Sequence, residues 1–151
     1  MTPDERIFSA ASRFIGVTEI PGPGSNPTIV KFIDEAAKWL KDGVSDVDGS
    51  IPWCGCFRGH VGLITATGIP PEHFRAASWA SWGRPVKLDP TKWKRGMTVI
   101  MSRPGGNHVT LFSHLQDNLA FCLGGNQSNK VCVAPFQLSR ISAVRTAPEY
   151  V

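Results

Sequence analysis

The stretch MTVIMSRPGGNHVTLFSHLQDNLAFCLGGNQSNKVCVAPFQLSRISAVR, residues 97–145, is where the chain changes its period, and its reading decides the fold. Five runs, Met97 to Ser102, Val109 to His114, Leu119 to Leu123, Val131 to Ala134 and Ile141 to Arg145, are rich in branched and aromatic residues with turn residues between them. Such runs read as short strands. Upstream, apolar residues recur at helical spacing instead. Thr2 caps a first helix, with Pro3 at its first position and Glu5 three residues after the cap; Ile7, Ala10, Ala11 and Phe14 follow on one face before Gly16. Asn26 and Pro27 open a second helix with Val30, Ile33, Ala37 and Leu40 on one face. A third runs from Cys54 to about Thr67 and ends at Gly68, before Pro70 and Pro71. A helical turn covers Ala76 to Trp82. Helices first and strands second is the order of an α+β domain, with N-terminal helices packed on a C-terminal antiparallel sheet.

With 151 residues, one domain over 1–151 is expected. No run of 18 apolar residues is present, so no membrane span is expected. The opening MTPDERIF is acidic and polar where a secretory signal is basic and then apolar, which points to synthesis in the cytoplasm. The net charge of +4 comes from scattered residues, among them Lys38, Lys41, Arg84, Lys87, Lys92, Lys94 and Arg95. No basic stripe with interleaved aromatics and no nucleic-acid motif stands out, so nucleic acid is not an expected partner. Cys54, Cys56, Cys122 and Cys132 are expected as reduced thiols. Cys122 and Cys132 flank GGNQSN symmetrically, so a disulfide across a hairpin there is structurally optional.

The junction IPWCGCFRGH, residues 51–60, carries the chemistry. Cys54 falls at a helix start, where the positive end of the helix dipole favours the thiolate and lowers the pKa from about 8.5. A thiolate nucleophile needs a base beside it and a third group to orient that base. His60 lies on the same helix but on another face, His73 follows a Pro-Pro turn that looks exposed, and His114 ends a strand. His108 instead follows the turn PGGN and opens the apolar strand HVTLF, where it can project into a cleft. Asn126 and Gln127 are the polar candidates for the orienting role. The order Cys, His, polar orienter is that of papain-like enzymes. The plain alternative is that Cys54 is a small buried hydrophobe. A zinc site from Cys54, Cys56 and His60 would need the spacing C-x-C-x3-H, which is not a usual zinc pattern.

Five segments taken together resemble a family. VTEIPGP at 17–23, PWCGCF at 52–57, SWASWG at 78–83, NHVTLF at 107–112 and LGGNQSN at 123–129 stand in the order found in a phage and bacterial branch of the CHAP/NlpC-like cysteine peptidases. The resemblance spans nearly the whole chain. It implies a papain-like α+β fold, and hydrolysis of an amide bond in peptidoglycan with Cys54 as nucleophile, His108 as base and Asn126 as third member. It further implies Glu19, Trp53, Trp82 and Gln127 as substrate-binding residues, with Trp79 in the same motif segments. The implied enzyme is a monomeric endolysin without a separate wall-binding module, acting on the wall or periplasm after release from the cytoplasm. A virion-associated lysin, an interbacterial amidase toxin and a non-catalytic wall-binding protein on the same fold are its alternatives. Asn107 and Thr110 depart from the family's glycines around the histidine. Asp46 and Asp48 in DVDG resemble the calcium loop of some CHAP enzymes, but the other ligands are not evident. No metal or cofactor is expected.

Overall fold

The computed structural model describes residues 1–21, 25–36 and 52–148. Helix α1 (Pro3–Ser12) starts where the sequence signals it: Glu5 N donates to Thr2 Oγ1 at 3.1 Å, and Thr2 N donates back to Glu5 Oε2 at 2.8 Å. Ile7 and Ala11 are its buried apolar residues. Helix α2 (Pro27–Glu35) is capped by Asn26, whose Oδ1 accepts from Thr28 N at 2.9 Å. Its buried face is Ile29, Phe32 and Ile33 rather than one centred on Val30, because those three form a tighter i, i+3, i+4 stripe. Ala37 and Leu40 lie outside the described residues.

Helix α3 (Cys54–Thr65) is buried without a break from Cys54 to Gly62. It ends at Ala66 in the left-handed region (φ 56°), two residues before the Gly68 expected as its stop. Two glycines explain how deeply it sits. A Cβ at Gly55 would lie 2.3 Å from the Phe74 carbonyl oxygen, and one at Gly59 would lie 2.1 Å from the His73 ring. The segment after Pro71 therefore lies directly against the helix, and His73 is fully buried, not exposed as its Pro-Pro neighbours suggest. A 3-10 turn over Ala76–Ser81 follows, and Trp79 Nε1 donates to the His73 carbonyl at 2.9 Å.

The sheet contains β1 (Arg84–Val86), β2 (Thr98–Arg103), β3 (Gly106–Gln116), β4 (Leu119–Gln127), β5 (Lys130–Gln137) and β6 (Ile141–Thr146). Its order is β1-β6-β2-β3-β4-β5 and every pairing is antiparallel. The domain is thus α+β, as expected. β1 has no signal in the hydrophobic pattern; it is a short edge strand, the place where a strand tolerates Pro85. β4 runs on through Gly124–Gln127, which the sequence pattern makes part of a turn. The reversal is only Ser128 and Asn129, both at positive φ (51° and 62°), as a primed two-residue hairpin requires.

Strand alternation divides the core. Ile100, Val109, Leu111, Leu123 and Val131 join the helices on one face. Val99, Met101, Phe112, Cys122 and Val144 lie on the other, with Trp93. All four cysteines are free thiols. Cys122 stands opposite Ala134 and Cys132 opposite Gly124, so the two are not cross-strand partners. Among the described residues, no helix is long and apolar enough to cross a membrane.

Candidate active site

The start of α3 is held from three sides. Trp53 is fully buried, and its Nε1 donates to Glu19 Oε1 at 2.8 Å. The backbone N–H of Glu19 donates to the Asn129 carbonyl at 2.9 Å, so Glu19 links the helix start to the β4–β5 reversal. Gly125 lets β4 close on both: a Cβ there would lie 2.7 Å from Phe57 Cβ and 2.8 Å from the Trp53 ring. Glu19 and Trp53 thus position Cys54. Neither they nor Trp82 line the clefts at the site. Trp82 is buried against Trp79, ring centroids 5.3 Å apart, with the Arg58 guanidinium 4.9 Å from its ring. The substrate-binding role expected of Trp53 and Trp82 gives way to packing, because both indoles are sealed in the core.

Cys54 is 3% exposed. Burial raises its pKa, and this outweighs the stabilisation of the thiolate by the Val109 backbone N–H, by the Arg103 guanidinium and by the helix-start amides of Gly55 and Cys54. The helix-start effect read from the sequence is present. It is not the largest, so the resting sulfur is a thiol rather than a preformed thiolate. Cys56, fully buried, is pushed up to about 12 by burial and by its neighbour Cys54. His60 pairs with Glu35, Nδ1 to Oε1 2.5 Å, and not with the cysteines.

His108, near the start of β3, is 6% exposed, and its Nε2 lies 3.0 Å from Gln127 Oε1. The amide orientation follows from its other bonds. Gln127 Nε2 donates to the Cys132 carbonyl at 2.7 Å and to the Cys122 carbonyl at 3.3 Å, which uses both amide hydrogens. Oε1 must therefore accept, and His108 carries its proton on Nε2. Nδ1 is left as the basic nitrogen, with no protein partner among the described residues. Burial holds the His108 pKa below its ordinary value; the Gln127 bond opposes this, and Arg103 and Arg140 add to it. The imidazole is thus neutral at pH 7 and able to take a proton.

The partner of His108 is Gln127, where the family resemblance favoured Asn126. The reason is a bulge. Continuing the β3–β4 register from Leu111↔Leu123 would bring Asn126 opposite His108. Between Gly124 and Gln127 the β4–β5 register shifts, with Asn126 in the left-handed region at φ 58°. One extra residue moves the place at His108 on by one. Gly124 makes the room: a Cβ there would lie 2.5 Å from Gln127 Oε1.

The structure does not bring Cys54 and His108 into contact: the thiol lies with Val109 on the helix face of the sheet, and His108 lies on the opposite face with Met101 and Phe136. The thiol meets the backbone of Val109, the next residue after His108, and Arg103 lines both the cleft that holds Cys54 and the cleft that holds His108. No hydrogen bond joins thiol to imidazole. Strand alternation turns Val109 toward α3 and sets His108 opposite Met101, with its ring 5.9 Å from Phe136. Of the two departures from the family pattern, Asn107 lines the Cys54 cleft and its carbonyl accepts from Arg103 Nε at 3.0 Å. Thr110 is buried and donates to the Val99 carbonyl at 3.3 Å. Asp46 and Asp48 lie outside the described residues. Arg103 and Arg140 carry no motif signal, and sequence reasoning missed both.

No protein-family model matches the chain, and no curated protein sequence matches it. The functional reading therefore stands on the motif resemblance and on the geometry above.

Proposed function

We propose that the chain is a papain-like thiol hydrolase that cuts an amide bond of bacterial peptidoglycan, acting as a monomeric lysin on the wall after release from the cell that makes it. The observation that carries this is the His108–Gln127 pair. Gln127 fixes the imidazole tautomer and leaves Nδ1 unbonded, on the residue adjoining the backbone amide that meets Cys54. Orienter and base are paired as in papain-like enzymes, and the helix-start cysteine stands in the adjoining cleft. The five ordered motif segments support peptidoglycan as the substrate.

In the proposed reaction the Cys54 thiol gives its proton to His108 Nδ1 through water at the Arg103 border shared by the two clefts, as the sulfur attacks the amide carbonyl carbon. Burial raises the thiol pKa, so the sulfur depends on a base to become a nucleophile. The carbonyl oxygen becomes an oxyanion, with the Cys54 backbone N–H at the helix start as its donor. The intermediate collapses: the C–N bond breaks, and His108 passes its proton to the leaving amine. Water then gives a proton to Nδ1 and adds to the thioester; the C–S bond breaks and the sulfur takes that proton back. The products are a carboxylic acid and the regenerated thiol.

The test is digestion of purified peptidoglycan followed by mass spectrometry of the new termini. A new amine of L-alanine identifies an amidase, and a new amine within the stem or cross-bridge identifies an endopeptidase. Cys54→Ala should reduce cleavage to background, on the order of 10⁴-fold or more, while the protein stays folded. Cleavage retained by Cys54→Ala overturns the mechanism.

A further inference from the structure

The clefts beside the thiol and the imidazole are lined, among the described residues, by three arginines and no carboxylate. Arg75 stands only on the Cys54 side, Arg140 only on the His108 side, and Arg103 borders both. Two of these guanidiniums are held in place while keeping donors open. Arg140 gives Nε and Nη2 to the Ser102 carbonyl at 3.1 and 3.0 Å and lies 5.4 Å from the Phe136 ring. Arg103 gives only Nε, to the Asn107 carbonyl, and both its terminal nitrogens remain. Among the described residues neither is paired with an acidic side chain. Both lie close enough to His108 to depress its pKa. Two pre-positioned guanidiniums, without a counter-ion among the described residues and at the mouth of an imidazole cleft, suit a planar anion that accepts several hydrogen bonds.

Which part of the substrate enters that cleft follows from the reaction. His108 hands its proton to the departing amine, so the residue that leaves must lie on the His108 side. We propose that Arg103 and Arg140 form a subsite for a carboxylate of the leaving residue. The preferred substrate is then an amide whose amine belongs to a residue bearing a free carboxylate. This deepens the hydrolase reading and rests on it for the direction of the leaving group.

The test uses two synthetic peptide stems spanning the cleaved bond, one with the leaving residue's carboxylate free and one with it as a primary amide. Binding to the Cys54→Ala chain is measured by calorimetry at low salt, which reads the subsite without turnover. The free acid should bind about ten-fold more tightly, the scale of one charge-assisted hydrogen bond. Arg140→Gln and Arg103→Gln should each bring that ratio toward one, with Arg140→Lys in between because a point charge replaces the planar fork. Equal affinity for the two stems overturns the subsite. So does a ratio that neither glutamine variant changes, which would make these arginines structural only. Turnover of the same pair by the unmodified chain separates the two claims. Cleavage of both stems with equal kcat/KM removes the subsite and leaves the hydrolase. Cleavage of neither, with the acid preference kept in binding, removes the hydrolase and leaves an anion-binding cleft.

Discussion

One arginine sealed in the core and two at an open cleft put the same functional group to different use. Arg58, one turn along α3 from Cys54, is sealed: 1% exposed, 4.3 Å from the Trp79 ring and 4.9 Å from the Trp82 ring, with Nε and Nη2 on Thr98 Oγ1 at 3.2 and 3.1 Å. Burial pulls its pKa down to about 9, against the attraction of Asp4. Arg103 and Arg140 face an open cleft, hold only backbone carbonyls, and keep donors free. The sealed arginine has its charge spread over aromatic faces and serves packing. The open ones can meet an incoming anion. Enclosure, not residue type, separates structural charge from functional charge.

The largest expected effect is on the sealed side. Arg58→Ala should cost about 3 kcal/mol of stability in urea denaturation, since it leaves a void between two indoles. Arg58→Met should recover most of this, as apolar replacements of buried charges often do. The comparison breaks if Arg58→Ala keeps its stability but loses affinity for the acidic stem, because Arg58 would then belong to the open set.

Next is the orienter of the open side. Gln127→Ala should lower kcat/KM about 100-fold, close to 2.7 kcal/mol, as the imidazole loses its fixed tautomer. The pH profile sharpens this. The Gln127 bond raises the His108 pKa against burial, so its removal moves the acid limb of kcat/KM to lower pH. Gln127→Glu, which places a carboxylate there, should move the limb upward. An Asn126→Ala profile that shifts in place of these would restore Asn126 as the orienter.

The smallest effect is on stability. The folded-state pKa of His108 is depressed, so as pH falls below about 6.5 the unfolded chain takes up the proton first. Stability should fall through that window, by at most about 1.4 kcal/mol per pH unit from this group, and level off below the folded-state pKa. Urea titrations at pH 7.5, 6.5 and 5.5, with His108→Gln as the reference, isolate the contribution. An identical slope in the variant would show that His108 is not held neutral.

Much of the fold is legible in particular residues. The Thr2–Glu5 capping box and the Asn26 cap mark two helix starts because their bonds span only two or three residues. Runs of branched and aromatic residues between turn residues mark the central strands, and those runs are continuous because both faces of the sheet are buried. Elsewhere the partner is remote. β1 has three residues and is defined by pairing with β6, and the burial of His73 depends on Gly59 leaving space for its ring. At the site, the motif segments include Cys54, His108 and Gln127, but the residue that meets His108 is Gln127 where the resemblance favoured Asn126. The tryptophans expected in the groove are core, and the arginines of the groove lie outside every motif.

The sequence by itself determined the α+β order, the placing of Cys54 at a helix start and of His108 near the start of a strand, since each rests on local periodicity and capping. Only the tertiary structure decided that Gln127 rather than Asn126 holds the imidazole, because a single-residue bulge shifts which side chain reaches it. It also decided the state of the sulfur. Helix-start amides favour the thiolate locally, but the packing that buries Cys54 is assembled from distant segments, and desolvation prevails. Short-range hydrogen bonds can be read along a chain. Register shifts and desolvation depend on what the rest of the chain brings alongside.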